Sequence, residues 1–297
     1  MKQATTVQQQ IQILEQRGMT IDTGHDKATE ILSDIGYFRL GFYCFPFETT
    51  YPERKDRTHQ YKPGTKFSDV VALYYLDTDL RRILTDCLNR IEINFRTNII
   101  YTVSNQYLSC STWFINPAVM EKKFIDDFDS KIYDTNEFRR NPIITRHHKK
   151  YINDKYAPAW KTLEFLTFGT MVKLYQNLKD KPLKQSIATK YGIRNEKLLE
   201  NYFNTLVEVR NICAHNAVLF DHSLYKALRK GPAITITADN SHQIFSAIKT
   251  IFFVISSISQ NRANQMKNDI ITLFDKHKNN NSINWIIEHC IGYKNIF

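Results

Sequence analysis

One apolar stripe constrains this chain more than anything else in it. From Ser68 to about Tyr107, the residues Leu73, Leu76, Leu80, Ile83, Leu84, Cys87, Ile91, Phe95 and Ile99 recur at helical spacing, the pattern of one long amphipathic helix. Further helical patterns run over Thr6–Arg17, stopping at Gly18, and from Asp22 or His25 to about Ile35, with Asp22 as a candidate cap. Pro158–Leu178 continues the theme, with Trp160, Leu163, Phe165, Phe168, Met171 and Leu174 assigned to the core and Gly169 marking a close approach. Asn195–Asn216 and Asn240–Lys276 are two more, the latter with an Ile244, Ile248, Ile251, Phe252, Ile255, Ile258 stripe. The aromatic stretch Ile35–Phe47 reads as a packed turn or short helix. Tyr51–Lys66 reads as a loop, Ser109–Tyr156 as less regular structure, and Lys276–Asn281 as a hydrophilic linker. Only Ile234–Thr237, inside Ala233–Ala238, alternates as a strand would. The expected fold class is therefore all-α, with at most a minor short β element.

The chain's 297 residues suffice for one large or two small domains with a real core. Its 42% hydrophobic and 13% aromatic content exclude a disordered chain. A net charge of +10 suits a polyanionic partner, for which RNA fits, or simply a soluble basic protein. The five scattered cysteines (Cys44, Cys87, Cys110, Cys213, Cys290) form no metal spacing, and no signal peptide precedes them. They read as reduced thiols of a cytoplasmic protein. The apolar run Ile251–Ile255 is too short to span a membrane. There is no internal repeat and no phosphate-binding loop of the G-x-x-x-x-G-K-[ST] type. No cofactor is indicated.

Chemistry concentrates in Arg210-Asn211-Ile212-Cys213-Ala214-His215. RNA cleavage without a metal needs a proton carrier that works near neutral pH and a permanent cation for phosphate charge in the transition state. His and Arg are those residue types, although their spacing alone is a weak signal. Around them, Leu198, Leu199, Tyr202, Phe203, Leu206, Val209 and Cys213 share an apolar face. Asn201, Asn204, Glu208, Asn211 and His215 form a polar stripe low in charge, which suggests that it meets something other than bulk water. On one straight helix, five residues separate Arg210 and His215 by roughly 140°. Either the helix distorts or two copies of the chain combine their pairs.

Arg139, Arg140, Arg146, His147, His148, Lys149 and Lys150, with Tyr151 and Tyr156 nearby, combine cations with rings. That suits an RNA backbone and stacked bases, or else a solvated charged helix. Glu92 and Arg96 stand one helical turn apart and form a structural ion pair, or else Arg96 lies near RNA. No residues assemble a metal site.

The R-N-x-x-x-H pattern resembles the signature of HEPN ribonucleases. The chain is also similar to the Abi-like abortive-infection proteins, the AbiD/AbiF-like group. Four stretches carry that likeness: Gln8–Asp22, Ile35–Cys44, Leu80–Thr97 and Pro158–Gln176. With Val209–Ala217 they cover most of residues 5–225. The resemblance implies a HEPN-like helical domain over 66–277, with a basic insertion at about 111–157. An N-terminal helical and aromatic segment (1–65) packs on it, and a C-terminal tail (278–297) follows. It also implies anti-phage defence, a homodimer, and RNA as substrate or as a small structured regulator. In that reading His215 is acid or base and Arg210 stabilises the phosphorane. Asn211 orients the imidazole, touches phosphate or bonds a neighbouring helix, and Glu208 tunes His215 or pairs with a cation. The RNA-binding set is Arg139, Arg140, Arg146, Lys149, Lys150 and Arg96. The alternatives are a non-catalytic RNA-binding protein, with His215 as a satisfied interfacial histidine, or a phage-sensing interaction scaffold.

Overall fold

A computed structural model describes residues 3–235, 237 and 240–294, with only the backbone at Asn136. It contains fourteen α-helices: α1 Val7–Gln16, α2 His25–Ile35, α3 Tyr37–Cys44, α4 Phe67–Gln106, α5 Lys122–Phe128, α6 Asn136–Arg139, α7 Pro142–Lys150, α8 Ala159–Thr162, α9 Phe168–Gln176, α10 Lys181–Thr189, α11 Glu196–Ala214, α12 Ile244–Ile258, α13 Gln260–Asp275 and α14 Asn281–Ile286. Among the described residues β pairing is limited to isolated bridges, so the fold is all-α as the periodicity requires. The alternating stretch Ala233–Ala238 lies partly outside the described residues, at Ile236 and Ala238. Among its described residues the β pairing is limited to the bridge between Gly231 and Ile234.

The chain forms two compact units. The first gathers residues 1–83, 215–222 and 268–297, and the second holds 84–214 and 223–267. The boundary falls within α4 and again just after α11.

In the first unit, α1 opens with a capping box in which Thr6 and Gln9 satisfy each other's backbone. Asp22 does not cap α2, whose N-cap is Gly24. Its carboxylate instead takes the Ser68 backbone N–H at 3.0 Å and the Ser68 hydroxyl at 2.6 Å, at the start of α4. The aromatic stretch after α2 is helical as α3 and tightens into a 3₁₀ turn at Phe45–Phe47. The tail residues join this unit: Asn280 donates to Asp69 at 2.6 Å, and the Tyr51 ring packs edge-on against Trp285.

In the second unit the residue 84–106 part of α4 packs on α9–α11 through aromatic rings. Phe95 and Phe203 lie 4.3 Å apart between centroids, and Phe168, Tyr175 and Tyr191 close around them. All five are buried, so each ring contributes hydrophobic stabilisation to the unit. Two expected helices are interrupted. Pro158–Leu178 breaks at Leu166–Thr167, where Thr167 restarts α9 as its N-cap. Trp160, assigned to the core by its spacing, is 54% exposed as a result. Asn240–Lys276 splits at Ser259, which is extended between α12 and α13.

Glu48 in the first unit yields a pH test. The carboxylate is buried, accepts two bonds from Arg57 at 2.9 and 2.6 Å, and faces His59 at 3.1 Å. Burial opposes its ionisation, but these hydrogen bonds outweigh it and hold the carboxyl below the usual range. A lowered folded pKa contributes stability above the ordinary glutamate value, and that stability is lost as pH falls through the folded one. Thermal melts of the wild type should therefore weaken on acidification below the ordinary carboxylate range. Glu48→Gln should be less stable at neutral pH and lose less on acidification. Parallel pH profiles would contradict this.

Candidate functional site

Arg210 and His215 sit in different settings. α11 ends at Ala214, short of the Asn216 limit that the sequence pattern suggests, and His215 begins a turn. Asn216 then adopts the left-handed conformation (φ 52°), which Asn tolerates better than most residues and which commonly terminates helices. The straight-helix geometry expected for the pair does not apply, because the helix stops between them. Arg210 belongs to the second unit and His215 to the first.

The His215 turn is held by charged side chains. Arg39 donates to the Asn216 carbonyl, and Arg81 donates to the Asn216 side-chain oxygen at 3.0 Å. Four residues before Arg81 on α4, Asp77 is fully buried and faces the Arg81 guanidinium at 3.3 Å. Asp77 accepts the backbone N–H groups of Leu219 at 3.1 Å and Phe220 at 2.8 Å, and the Tyr43 hydroxyl at 2.9 Å. Burial pushes the Asp77 carboxyl up from its ordinary value, against the pull of Arg81 and these donors. Downstream, Asp221 takes bonds from Tyr51 at 2.9 Å and Arg54 at 2.6 Å. Through all this His215 itself stays exposed.

Arg210 has a side chain 29% exposed, and its guanidinium lies 3.3 Å from Glu92. Glu92 also binds Arg96 at 3.0 Å, and Arg96 donates to the Leu166 carbonyl at 2.9 Å. Arg96 is 8% exposed, so it serves as an internal strut and not as the RNA contact allowed by its sequence position. Burying this guanidinium costs desolvation, which its bonds to Glu92 and the Leu166 carbonyl offset. Asn211 accepts a bond from Arg210 at 3.3 Å and is exposed. Glu208 accepts the Tyr225 backbone N–H at 2.9 Å.

Two members of the low-charge stripe of α11, Asn201 and Glu208, thus meet the chain's own return segment. Asn201 donates to the Ala227 carbonyl at 3.0 Å and accepts from the Arg229 N–H at 2.8 Å, while Asn204 accepts from Gln176 at 3.3 Å. These two amides are occupied within one chain, whereas Asn211 and His215 of the same stripe are exposed.

The basic stretch forms α6, α7 and their flanks. Arg139, Arg140, Arg146, Lys149 and Lys150 are all exposed. Arg139 pairs with Asp134 at 3.0 Å, and Lys150 lies over the Tyr151 ring at 5.3 Å. A groove of about 740 Å³ opens here, lined among others by Tyr133, Ile144, His148, Lys149 and Lys155. His147 is buried against Asp154 at 3.0 Å, and His148 shares a 2.7 Å bond with Tyr133. Both histidines therefore have structural partners. Among the described residues no group of three or more His, Cys, Asp or Glu is arranged to hold a metal ion. The five cysteines are free thiols, and burial pushes Cys44 up to about 12 and Cys290 to about 11.

A family model described as Abi-like protein matches residues 30–221, well over half of the sequence. The chain belongs to the Abi-like protein family. Comparison with curated proteins gives no match, and comparison with solved structures gives none. The family match takes in α3, α4, α11 and the whole His215 turn with its Arg39, Asp77 and Arg81 supports. No described helix of this Abi-like protein is long and apolar enough to cross a membrane.

Proposed function

We propose that this Abi-like protein is an abortive-infection effector of anti-phage defence that cleaves RNA as a metal-independent HEPN-type endoribonuclease. One observation carries the reading. An exposed histidine stands on a turn that Arg39, Arg81 and the fully buried Asp77 hold in place. Bracing the backbone beside an exposed histidine with buried charge carries a desolvation cost and supports the pre-organisation that proton transfer requires.

In the proposed reaction the substrate's 2′-oxygen attacks the adjacent phosphorus and the bond from phosphorus to the 5′-oxygen breaks. The 2′-hydroxyl loses a proton and the leaving oxygen gains one. His215 performs one of these transfers and solvent the other. Arg210 balances the phosphorane charge, and its loose 3.3 Å contact to Glu92 leaves its remaining donors for phosphate oxygens. Asn211 steadies Arg210 and Glu208 holds the return loop. The homodimer rests on the family resemblance alone.

Cleavage in EDTA, yielding 2′,3′-cyclic phosphate ends, is the expected result. An RNA with 2′-deoxy or 2′-O-methyl at the cut site should resist. Cleavage that ceases in EDTA, or that leaves 3′-hydroxyl ends, would rule the mechanism out.

The exposed basic face of α6–α7 favours a second reading, RNA binding without cleavage. It is also the expected docking surface for substrate RNA. Neutralising Arg139, Arg140, Lys149 and Lys150 to Gln should weaken RNA binding and lower its salt slope by about one per lost phosphate contact. An unchanged slope would remove this face from the interface. Lost binding in a protein that cleaves no RNA under any condition would favour the second reading.

A further inference from the structure

Helix α3 carries a feature that the proposed reaction does not use. Phe38 is 80% exposed and Phe42 is 45% exposed, and the two rings meet edge-to-face at 5.2 Å. Single exposed rings are ordinary on protein surfaces. Here the pair borders a cavity of about 190 Å³ whose apolar wall includes Leu14 and Leu40. At its rim Arg17 donates to the Tyr37 hydroxyl at 3.2 Å. Glu48 also lines it, but that carboxylate is fully engaged by Arg57 and His59. Neither Arg17 nor Arg39 has a carboxylate within ion-pair distance among the described residues. The ledge therefore combines bare aromatic faces with cations that lack counter-charges.

We propose that the Phe38/Phe42 ledge of α3 stacks the unpaired bases of single-stranded RNA, with Arg17 and Arg39 on the flanking phosphates. Base faces are hidden inside a duplex but available in a single strand. Rings beside cations are how proteins hold such strands without reading sequence. Arg39 ties the ledge to the candidate reaction centre, because the residue after Phe38 binds the carbonyl of the residue after His215. A strand lying on the ledge passes the His215 turn. The inference rests on RNA being this chain's ligand, and it narrows the substrate to RNA that is unpaired near the cut.

The test is fluorescence anisotropy with a short 2′-fluoro single-stranded RNA, which cannot be cut by 2′-hydroxyl attack, and with the matching duplex. Phe38→Ala and Phe42→Ala should each lower single-strand affinity roughly fivefold to a hundredfold. Duplex affinity and the circular dichroism spectrum should not move. Phe38→Trp should restore binding, and Arg39→Gln should reduce the salt slope by about one. Photocrosslinks from 5-iodouridine should map to residues 37–44. Unchanged single-strand affinity in the Phe38→Ala Phe42→Ala protein overturns the proposal and leaves a protein surface as the occupant of the ledge. Equal losses for single strand and duplex overturn base stacking. The probe cannot be cleaved, so a protein that binds through the ledge yet never cuts ordinary RNA refutes the nuclease reading and not this one.

Discussion

His215→Ala should cut RNA about a hundred- to ten-thousandfold more slowly than the wild type, the usual contribution of a positioned proton carrier. His215 is exposed and lies outside α11, so the substitution should leave the fold and most RNA affinity intact. Arg210→Ala should cost a comparable factor by removing charge stabilisation of the phosphorane. Arg210→Lys should rescue little of it, since an ammonium lacks the planar fork. Single-turnover cleavage of a labelled RNA, with toxicity on induced expression as the cellular readout, measures both. A folded His215→Ala protein that cleaves at the wild-type rate would end the ribonuclease assignment.

Asp77→Ala should destabilise the protein by about 3–5 kcal/mol, the cost of removing one partner from a buried charge pair. The loss removes the carboxylate facing Arg81 and the acceptor of the Tyr43 hydroxyl and of the Leu219 and Phe220 N–H groups at once. Asp77→Asn keeps one acceptor and should lose less. Urea denaturation followed by circular dichroism gives the number, and a loss below about 1 kcal/mol, the scale of a single ordinary hydrogen bond, would show that the hub is dispensable. At temperatures where the variant is still folded, cleavage should fall further than the folded fraction does, because the His215 turn loses its fixed geometry.

These residues show where sequence reading works and where it stops. The α4 stripe is legible because its apolar spacing persists over the whole helix, and α11 because its buried face is nearly unbroken. Asp77 carries a signal that is easily passed over: it falls on the apolar stripe between Leu73 and Leu80, where an acid must find partners. Which partners cannot be read, since Arg39 and Arg81 reach Asn216 from 177 and 135 residues away. The Ser259 break has no Gly or Pro to announce it, and apolar residues continue past it at Ala263, Met266 and Ile270. Trp160 falls outside the core because one helical turn followed by a 3₁₀ turn rotates the apolar face out of phase. Asp22 points by position to the nearest helix, whereas its hydrogen bonds go to a helix start 46 residues away. α10 escapes notice because nine residues hold too few apolar repeats to register.

The way the first unit is assembled has a consequence for synthesis. Its three segments are 1–83, 215–222 and 268–297, so it cannot be completed in the order in which a ribosome makes it. Residues 84–214 emerge and can pack while Asp69 still lacks Asn280 and Tyr51 still lacks Cys290. The His215 turn lies in the unit that closes last. A chain interrupted before residue 268 would already contain the Arg39, Asp77 and Arg81 contacts of the His215 turn but would lack the Asn280 and Cys290 contacts of the same unit. Under the proposed ribonuclease reading, a unit that closes only as a whole would withhold activity until translation has passed residue 268, and the nascent chain would spare the message still being read.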